Sequence, residues 1–337
     1  MLDATGGTWL GDCGPERVAL PATGAAAIYP RRPFGESGQP LRADSAAGRA
    51  SRHDGVMADL EQLVGGVDFG EGPRWHDGAL WYCDFFQHAI YRVTSDGERR
   101  AVHTGLDDQT SGLGWLPDGR LLVVSMKHQK LLRDDGGMLV EHADLSGIAG
   151  GLCNDMVVDT AGNAYVGNFG FDFYAGADFR EADLALVRPD GSVEVAARGL
   201  KFPNGSVITS DGDTLIVGES LGGTYQAFDI RADATLGPAR QWAHVEGTAP
   251  DGCTLDAGGG IWFADAAGSQ LVRVVEGGDV THRVPTPMPT FACALGGDDG
   301  RTLFVLCATG THEADVAGKA QGAIFTMRVE FPHAGLP

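Results

Sequence analysis

The apolar and polar positions of residues 57–337 repeat one pattern six times: an apolar strand, a glycine-rich turn, a second apolar strand, a loop and a third strand. The copies are GPRWHDGALWYCDFFQHAIYRV from Gly72, GLGWLPDGRLLVVSMKHQKLLR from Gly112, DMVVDTAGNAYVGNFG from Asp155, GSVITSDGDTLIVGES from Gly205, GCTLDAGGGIWFADAAGSQLVRVV from Gly252 and CALGGDDGRTLFVLCATG from Cys293. Their starts lie 40 to 50 residues apart. Asp-Gly between apolar runs, as at Asp77-Gly78, Asp118-Gly119 and Asp211-Gly212, is a hairpin signal, because type I′ turns need positive φ at both central residues. No stretch of this range carries a sustained helical period. Six repeats of about 47 residues, each with three or four short strands, predict an all-β fold: a six-bladed β-propeller with a central channel. A parallel β-helix needs much shorter repeats. ADLEQLVGGVDF before the first copy and GAIFTMRVEF after the last are the candidates for a closing strand, and sharing one blade between the two termini removes the open edge.

Residues 1–56 lack this pattern. They are rich in Ala, Gly, Pro and Arg, and six acids balance six arginines. Such a stretch buries too little apolar surface to offset its ordering entropy. It reads as a disordered tail, or as an upstream extension from a misassigned start ahead of Met57. A chain with 21 Arg and only four Lys has the bias of a GC-rich coding sequence, in which spurious upstream frames are common. The net charge of −20 therefore resides in residues 57–337. That charge argues against a nucleic-acid partner, which requires a basic face, and against anionic membrane. No apolar run reaches the roughly 20 residues of a membrane helix. The six cysteines show neither a C-x-x-C pair nor zinc-type spacing, and no signal peptide is evident, so a cytoplasmic protein with reduced, buried thiols is expected.

Propellers gather the beginnings of their first strands around the axis. Four polar residues stand directly before the predicted first strands: Glu71 in FGEGPRW, Asn154 in GLCNDM, Asn204 in KFPNGS and Asp251 in APDGCT. Two carboxylates and two amides make an all-oxygen donor set, which suits a hard cation such as Ca²⁺ or Mg²⁺. The competing reading is local. Asn-Gly and Asp-Gly are common turn dipeptides, and Glu71 beside Gly-Pro could be a solvated loop acid. The recurrence of such residues at equivalent blade positions favours the shared site.

EGPRW, PNGSVITSDGDTLIVGES, PDGCTLDAGGGIWFAD and CALGGDDGRTLFV together resemble the senescence marker protein/gluconolactonase (regucalcin-like) family, in order, over roughly residues 60–337. The resemblance implies a six-bladed propeller with one divalent metal in its central channel and a lactone-hydrolysing activity. It also implies that Glu71, Asn204 and Asp251 are metal ligands, that Asp251 is the candidate general base, and that Asn154 is a substrate-side residue. Ca²⁺ is the favoured ion, with Zn²⁺, Mg²⁺ and Mn²⁺ as alternatives. Sugar-lactone members commonly carry an Arg two residues before that Asn. Here Leu152 stands in its place, and a run of aromatics including Phe171 follows in GNFGFDFY. Losing a multi-donor fork beside aromatic residues points to a substrate less polar than a sugar lactone, unless those aromatics are simply inter-blade core.

The expected function is hydrolysis of a small lactone by a divalent-metal-dependent enzyme. The alternatives are a phosphotriester or natural-product ester hydrolase on the same site, and a non-catalytic calcium-binding propeller. A strictosidine-synthase-like propeller shares the fold but not these ligands. No G-x-S-x-G elbow, H-E-x-x-H or Gly-rich phosphate fingerprint opening a helix is present. The ten histidines read mostly as surface or loop residues, with His128 and His312 the two considered for the channel. Glu219 is more readily a surface or turn acid than a support for the site, and Cys153 and Cys253 read as buried structural thiols.

Overall fold

The computed structural model describes residues 60–337; the reading of residues 1–56 lies outside them. Six four-stranded antiparallel sheets follow one another around a ring. Blade 1 holds β2 (Gly70–His76), β3 (Ala79–Asp84), β4 (Ala89–Val93) and β5 (Arg99–Thr104). Blade 2 holds β6 (Thr110–Trp115), β7 (Leu121–Ser125), β8 (Lys130–Asp134) and β9 (Leu139–Asp144). Blade 3 holds β10 (Cys153–Val158), β11 (Ala164–Asn168), β12 (Ala182–Val187) and β13 (Val193–Leu200). Blade 4 holds β14 (Pro203–Ile208), β15 (Thr214–Glu219), β16 (Thr224–Asp229) and β17 (Arg240–His244). Blade 5 holds β18 (Pro250–Leu255), β19 (Gly260–Asp265), β20 (Gln270–Val275) and β21 (Val280–Pro285). Blade 6 holds β22 (Thr290–Gly296), β23 (Thr302–Cys307) and β24 (Gly322–Arg328), and its fourth strand is β1 (Glu61–Val67). The two ends of the propeller thus close it in one blade, with Glu61 opposite Thr326 and Val67 opposite Gly322. Pairing across the termini leaves no blade short of a strand.

Burial grades outward from the axis. The inner strands β10, β14, β18 and β22 are buried at every position, whereas the outer strands β5 and β21 are largely exposed. The core therefore lies between blades. Val207 and Ile216 of blade 4, for instance, pack in one cluster with Cys253, Leu255 and Phe263 of blade 5. The far end of the ring is sealed by the C-terminal tail. Leu336 exchanges backbone hydrogen bonds with Ile208, and Ala334 donates to the Leu255 carbonyl, both at the ends of inner strands.

The inner strands begin at residues 70, 110, 153, 203, 250 and 290, two or three residues earlier than the repeat pattern predicts. The correction has a physical cause. Asn204-Gly205 and Asp251-Gly252 look like turns in the sequence, but each lies inside a strand, at an irregularity in the register with the next strand. Their glycines are required by close approach. A Cβ on Gly205 would meet the Asp251 carbonyl oxygen at 2.4 Å and the Cys253 nitrogen at 2.7 Å, and one on Gly252 would meet the Ala292 Cβ at 2.6 Å. Neighbouring inner strands pack backbone to backbone, and a methyl group has no room between them.

Gly205→Ala is therefore expected to destabilise the protein by about 1–3 kcal/mol through overpacking. Gly147→Ala, on an exposed loop where a Cβ meets nothing within 4 Å, is expected to change stability by less than about 0.5 kcal/mol. Urea denaturation of the two variants checks the contrast, and equal losses would contradict it.

Candidate active site

The second residue of each inner strand stands at the same end of the ring, where the inner strands begin. In blade order these residues are Glu71, Ser111, Asn154, Asn204, Asp251 and Phe291. Glu71, Asn154, Asn204 and Asp251 are all buried, with relative exposures of 6 to 7 %. The structure thus assembles the four polar residues singled out in the sequence, although they sit within the strands and not before them.

A repeated device presents them. In blades 1, 3, 4 and 5 the last residue of the second strand carries a side-chain acceptor that captures a backbone N–H of the segment leading into the first strand. Asp84 accepts from Asp68 and Phe69, Asn168 from Gly150, Glu219 from Lys201, and Asp265 from Ala249. Each tie lies two to four residues ahead of the axial residue and fixes how the chain arrives there. In blade 2 the link is formed between side chains, the Ser125 hydroxyl donating to Asp108. Glu219 is consequently a buried anchor that also accepts from Thr224 and Gln226, not the surface acid its sequence context suggests.

The axial amides are held in turn. Asn154 Nδ2 donates to the Pro203 carbonyl at 3.3 Å. Asn204 Nδ2 donates to Ser220 Oγ at 3.1 Å, whose hydroxyl donates to the Pro250 carbonyl at 2.6 Å. With these donors committed to the scaffold, the amide carbonyl oxygens are left for the axis.

Electrostatically the site is unbalanced. Burial holds the Glu71 carboxyl well above the usual carboxylate range, and Asp251 and then Asp155 add to the effect. Burial likewise raises Asp251, with Asp155 adding, while the amide of Asn204 pulls it back. The nearby cation is already engaged. Arg74 extends from blade 1 and donates to the Leu113 carbonyl at 3.0 Å, then to Asp155 Oδ1 and the Met156 carbonyl of blade 3, both at 2.6 Å. That buried pair crosslinks three blades, and although Arg74 draws Glu71 down a little, no cationic side chain among the described residues forms an ion pair with Glu71 or Asp251. Two buried carboxyls and two amide oxygens from four strands fit a hard divalent cation. Among the described residues no three His, Cys, Asp or Glu side chains come together in this way, so the candidate site is a mixed acid–amide one.

Around the polar ring stands an apolar collar on the same face. It contains Phe69, Met126, Phe171, Phe202, Ala249 and Phe291, with Leu152 packed against it. Phe169 and Phe202 stack with ring centroids 4.3 Å apart. Leu152 and Phe171, marked as substrate-side residues in the sequence, thus belong both to the packed core of this face and to the surround of the axis. Cys153 and Cys253 beside the site are buried and unpaired, and burial pushes both thiols up to about 12, so neither is an activated nucleophile. His128 is about half exposed near Asp108, and His312 is exposed in the blade 6 insertion, where it meets the Tyr174 ring edge to face. The sequence reading missed Arg74, Ser220 and the axial pair Ser111 and Phe291. Only the equivalence of blade positions could have flagged the last two.

With no cation bound, the folded protein binds more protons than the unfolded chain between the ordinary carboxylate value of about 4 and the raised folded values, so stability falls as pH rises through that window. Asp135 and Asp299, drawn down to about 2 by Arg133 and Arg328, act in the opposite sense with an effect complete by about pH 5, and His76, His142 and His282, lowered by burial, oppose the fall up to the ordinary imidazole range near 6.5. Between pH 5.5 and pH 8, chelator-treated protein should therefore lose more melting temperature, or gain less, than chelator-treated Glu71→Gln, which lacks the raised carboxyl and keeps those histidines. Calcium at a hundredfold excess over its Kd should restore about 2.7 kcal/mol. The same profile in wild type and Glu71→Gln without calcium, and no response to calcium, would contradict the assignment.

Comparison with known proteins identifies the family of the chain. Residues 69–309 match the SMP-30/gluconolactonase/LRE-like region. The chain is 29 % identical over 274 residues to a pentonolactonase of Haloferax volcanii, covering 77 % of this chain and 90 % of that one. It is 24 % identical over 279 residues to a 6-deoxy-6-sulfogluconolactonase of Pseudomonas putida, covering 80 % and 94 %. Its fold is similar to that of a calcium-binding protein, regucalcin, from Agrobacterium tumefaciens, with a TM-score of 0.70 at 22 % identity over 83 % of this chain and 97 % of that one. The chain belongs to the SMP-30/gluconolactonase/LRE-like family of β-propeller proteins.

Proposed function

We propose that this protein is a divalent-metal-dependent lactonase whose substrate is a small lactone less polar than a sugar lactone. The observation that carries the reading is the pair of buried carboxyls, Glu71 and Asp251, facing the axis with the amides of Asn204 and Asn154 and with no counter-charge of their own. Lactonase relatives over most of the chain support the reaction class.

Glu71, Asn204 and Asp251 would hold the cation, most favourably Ca²⁺, which when bound supplies polarisation of the ring carbonyl and activation of water. The chain's own residues do the rest. Asp251 accepts the proton of the attacking water, its carboxylate form favoured in the loaded site. Asn154, fixed through Pro203, orients the lactone beside the ligands. The collar of Phe69, Phe171 and Phe202 excludes bulk water, which strengthens every charge interaction inside it. Ring opening adds water across the acyl–oxygen bond: the hydroxide joins the carbonyl carbon, the ring oxygen leaves, and the proton held by Asp251 passes to that alkoxide.

Leu152 carries the substrate preference. A leucine at this position, packed against the collar, offers no hydrogen bonds to a polyhydroxylated ring. The protein is therefore expected to prefer aliphatic or aryl lactones to gluconolactone.

The test is acid release from aliphatic, aromatic and sugar lactones, using chelator-stripped protein with single metals added back. Metal-restored turnover is expected, and Asp251→Asn should lower kcat at least about a hundredfold. Leu152→Arg should shift the ratio of kcat/KM values toward sugar lactones. Turnover of a phosphotriester above that of every lactone would favour the ester-hydrolase alternative, and calcium retention without any turnover would favour a binding propeller.

A further inference from the structure

The loops joining the second and third strands lie on the same face as the axial residues. In blades 1, 2, 4 and 5 these loops are four residues long, but residues 169–181 in blade 3 and 308–321 in blade 6 make long insertions. In a six-bladed ring blades 3 and 6 stand opposite each other, so a contact between their insertions crosses the axis above the site. Such a contact exists. Tyr174 meets His312 edge to face, with ring centroids 5.8 Å apart.

Both insertions are anchored at their bases. Gly150 and Gly151 allow the blade 3 insertion to lie directly upon them, since a Cβ on either would meet the Gly170 or Phe171 carbonyl oxygen at 2.6 or 2.4 Å. Tyr174 itself packs on Phe169 and Phe173, at 6.1 and 5.4 Å. The blade 6 insertion is tied to blade 1 by Asp68, which accepts from the backbone N–H of Gly318 at 2.7 Å and of Ala320 at 2.6 Å. His312 stands at the N-terminus of its short helix α1 (Glu313–Val316). Tyr174 remains 39 % exposed, with part of its ring at the mouth. Burial raises its phenol, and the carboxyls of Asp251 and Glu71 raise it further, so its hydroxyl lies within the field of the two axial acids.

We propose that Tyr174 is a substrate-contacting, specificity-determining residue and His312 its positioning residue, the pair forming a latch across the axis. The inference rests on the lactonase reading and narrows it. The collar suits an apolar ring, and the Tyr174 hydroxyl supplies one hydrogen-bond donor on the side where Leu152 supplies none. The substrate class is then a small apolar lactone carrying a single acceptor substituent, such as one hydroxyl beside the ring carbonyl.

The test compares α-hydroxy-γ-butyrolactone with unsubstituted γ-butyrolactone on metal-loaded wild type, Tyr174→Phe, His312→Ala and the double variant. Tyr174→Phe keeps the ring and removes only the hydroxyl, and melting with and without calcium verifies that each variant folds and loads. The expected result for Tyr174→Phe is a KM about tenfold higher for the hydroxylated lactone, with the unsubstituted one within twofold of wild type. His312→Ala should raise the same KM about threefold with kcat unchanged, and the double variant should be no worse than Tyr174→Phe, because His312 acts through the hydroxyl. An active wild type with an unaffected Tyr174→Phe overturns the substrate contact alone. Additive effects in the double variant overturn the positioning role. A wild type that opens no lactone with any metal overturns the lactonase reading and this inference with it.

Discussion

Everything at the site depends on six inner strands packing backbone to backbone around the axis. Where Gly205 and Gly252 remove the Cβ, one strand settles against its neighbour at distances a methyl group would forbid. That approach brings one side chain per blade to a common point. It also removes water from two carboxyls that lack a positive partner, a cost the fold alone does not relieve. The close packing that requires glycine is thus also what leaves these two carboxyls desolvated, and on the proposed function a bound cation relieves that cost.

Arg74 shows how the chain separates structure from chemistry. Its guanidinium joins three blades and satisfies Asp155, so one carboxylate near the axis is spoken for. Had Arg74 paired with Glu71 or Asp251 instead, one of those carboxylates would be occupied by a guanidinium and Asp155 would be left buried without its partner. The second-strand anchors Asp84, Asn168, Glu219 and Asp265 play a quieter part, fixing the segments that lead into the axial residues. Position at the axis thus comes from backbone capture, and the unusual electrostatics from a buried pair of acids.

The blade count, the closure of the ring by both termini and the identity of four of the five polar axial residues could all be read from the sequence. Repetition makes them visible, since each blade is a local unit with its own hairpin grammar. The strand starts were misplaced because Asn204-Gly205 and Asp251-Gly252 carry turn chemistry while serving as sites of close approach. Glu219 looked like a surface acid because its partners, Lys201 N and the Thr224 and Gln226 side chains, come together only when the blade folds. The Arg74–Asp155 pair spans 81 residues, and the Tyr174–His312 contact joins opposite blades. Neither leaves a local trace, because both arise from the circular order of the blades.

The most direct test of the account is diffraction from crystals loaded with manganese, whose anomalous signal locates the ion without reference to activity. The account predicts one peak on the axis, within about 2.1–2.6 Å of an oxygen from each of Glu71, Asn204 and Asp251. A peak elsewhere, or none at the axis under conditions that saturate a calcium-stabilised protein, would contradict it.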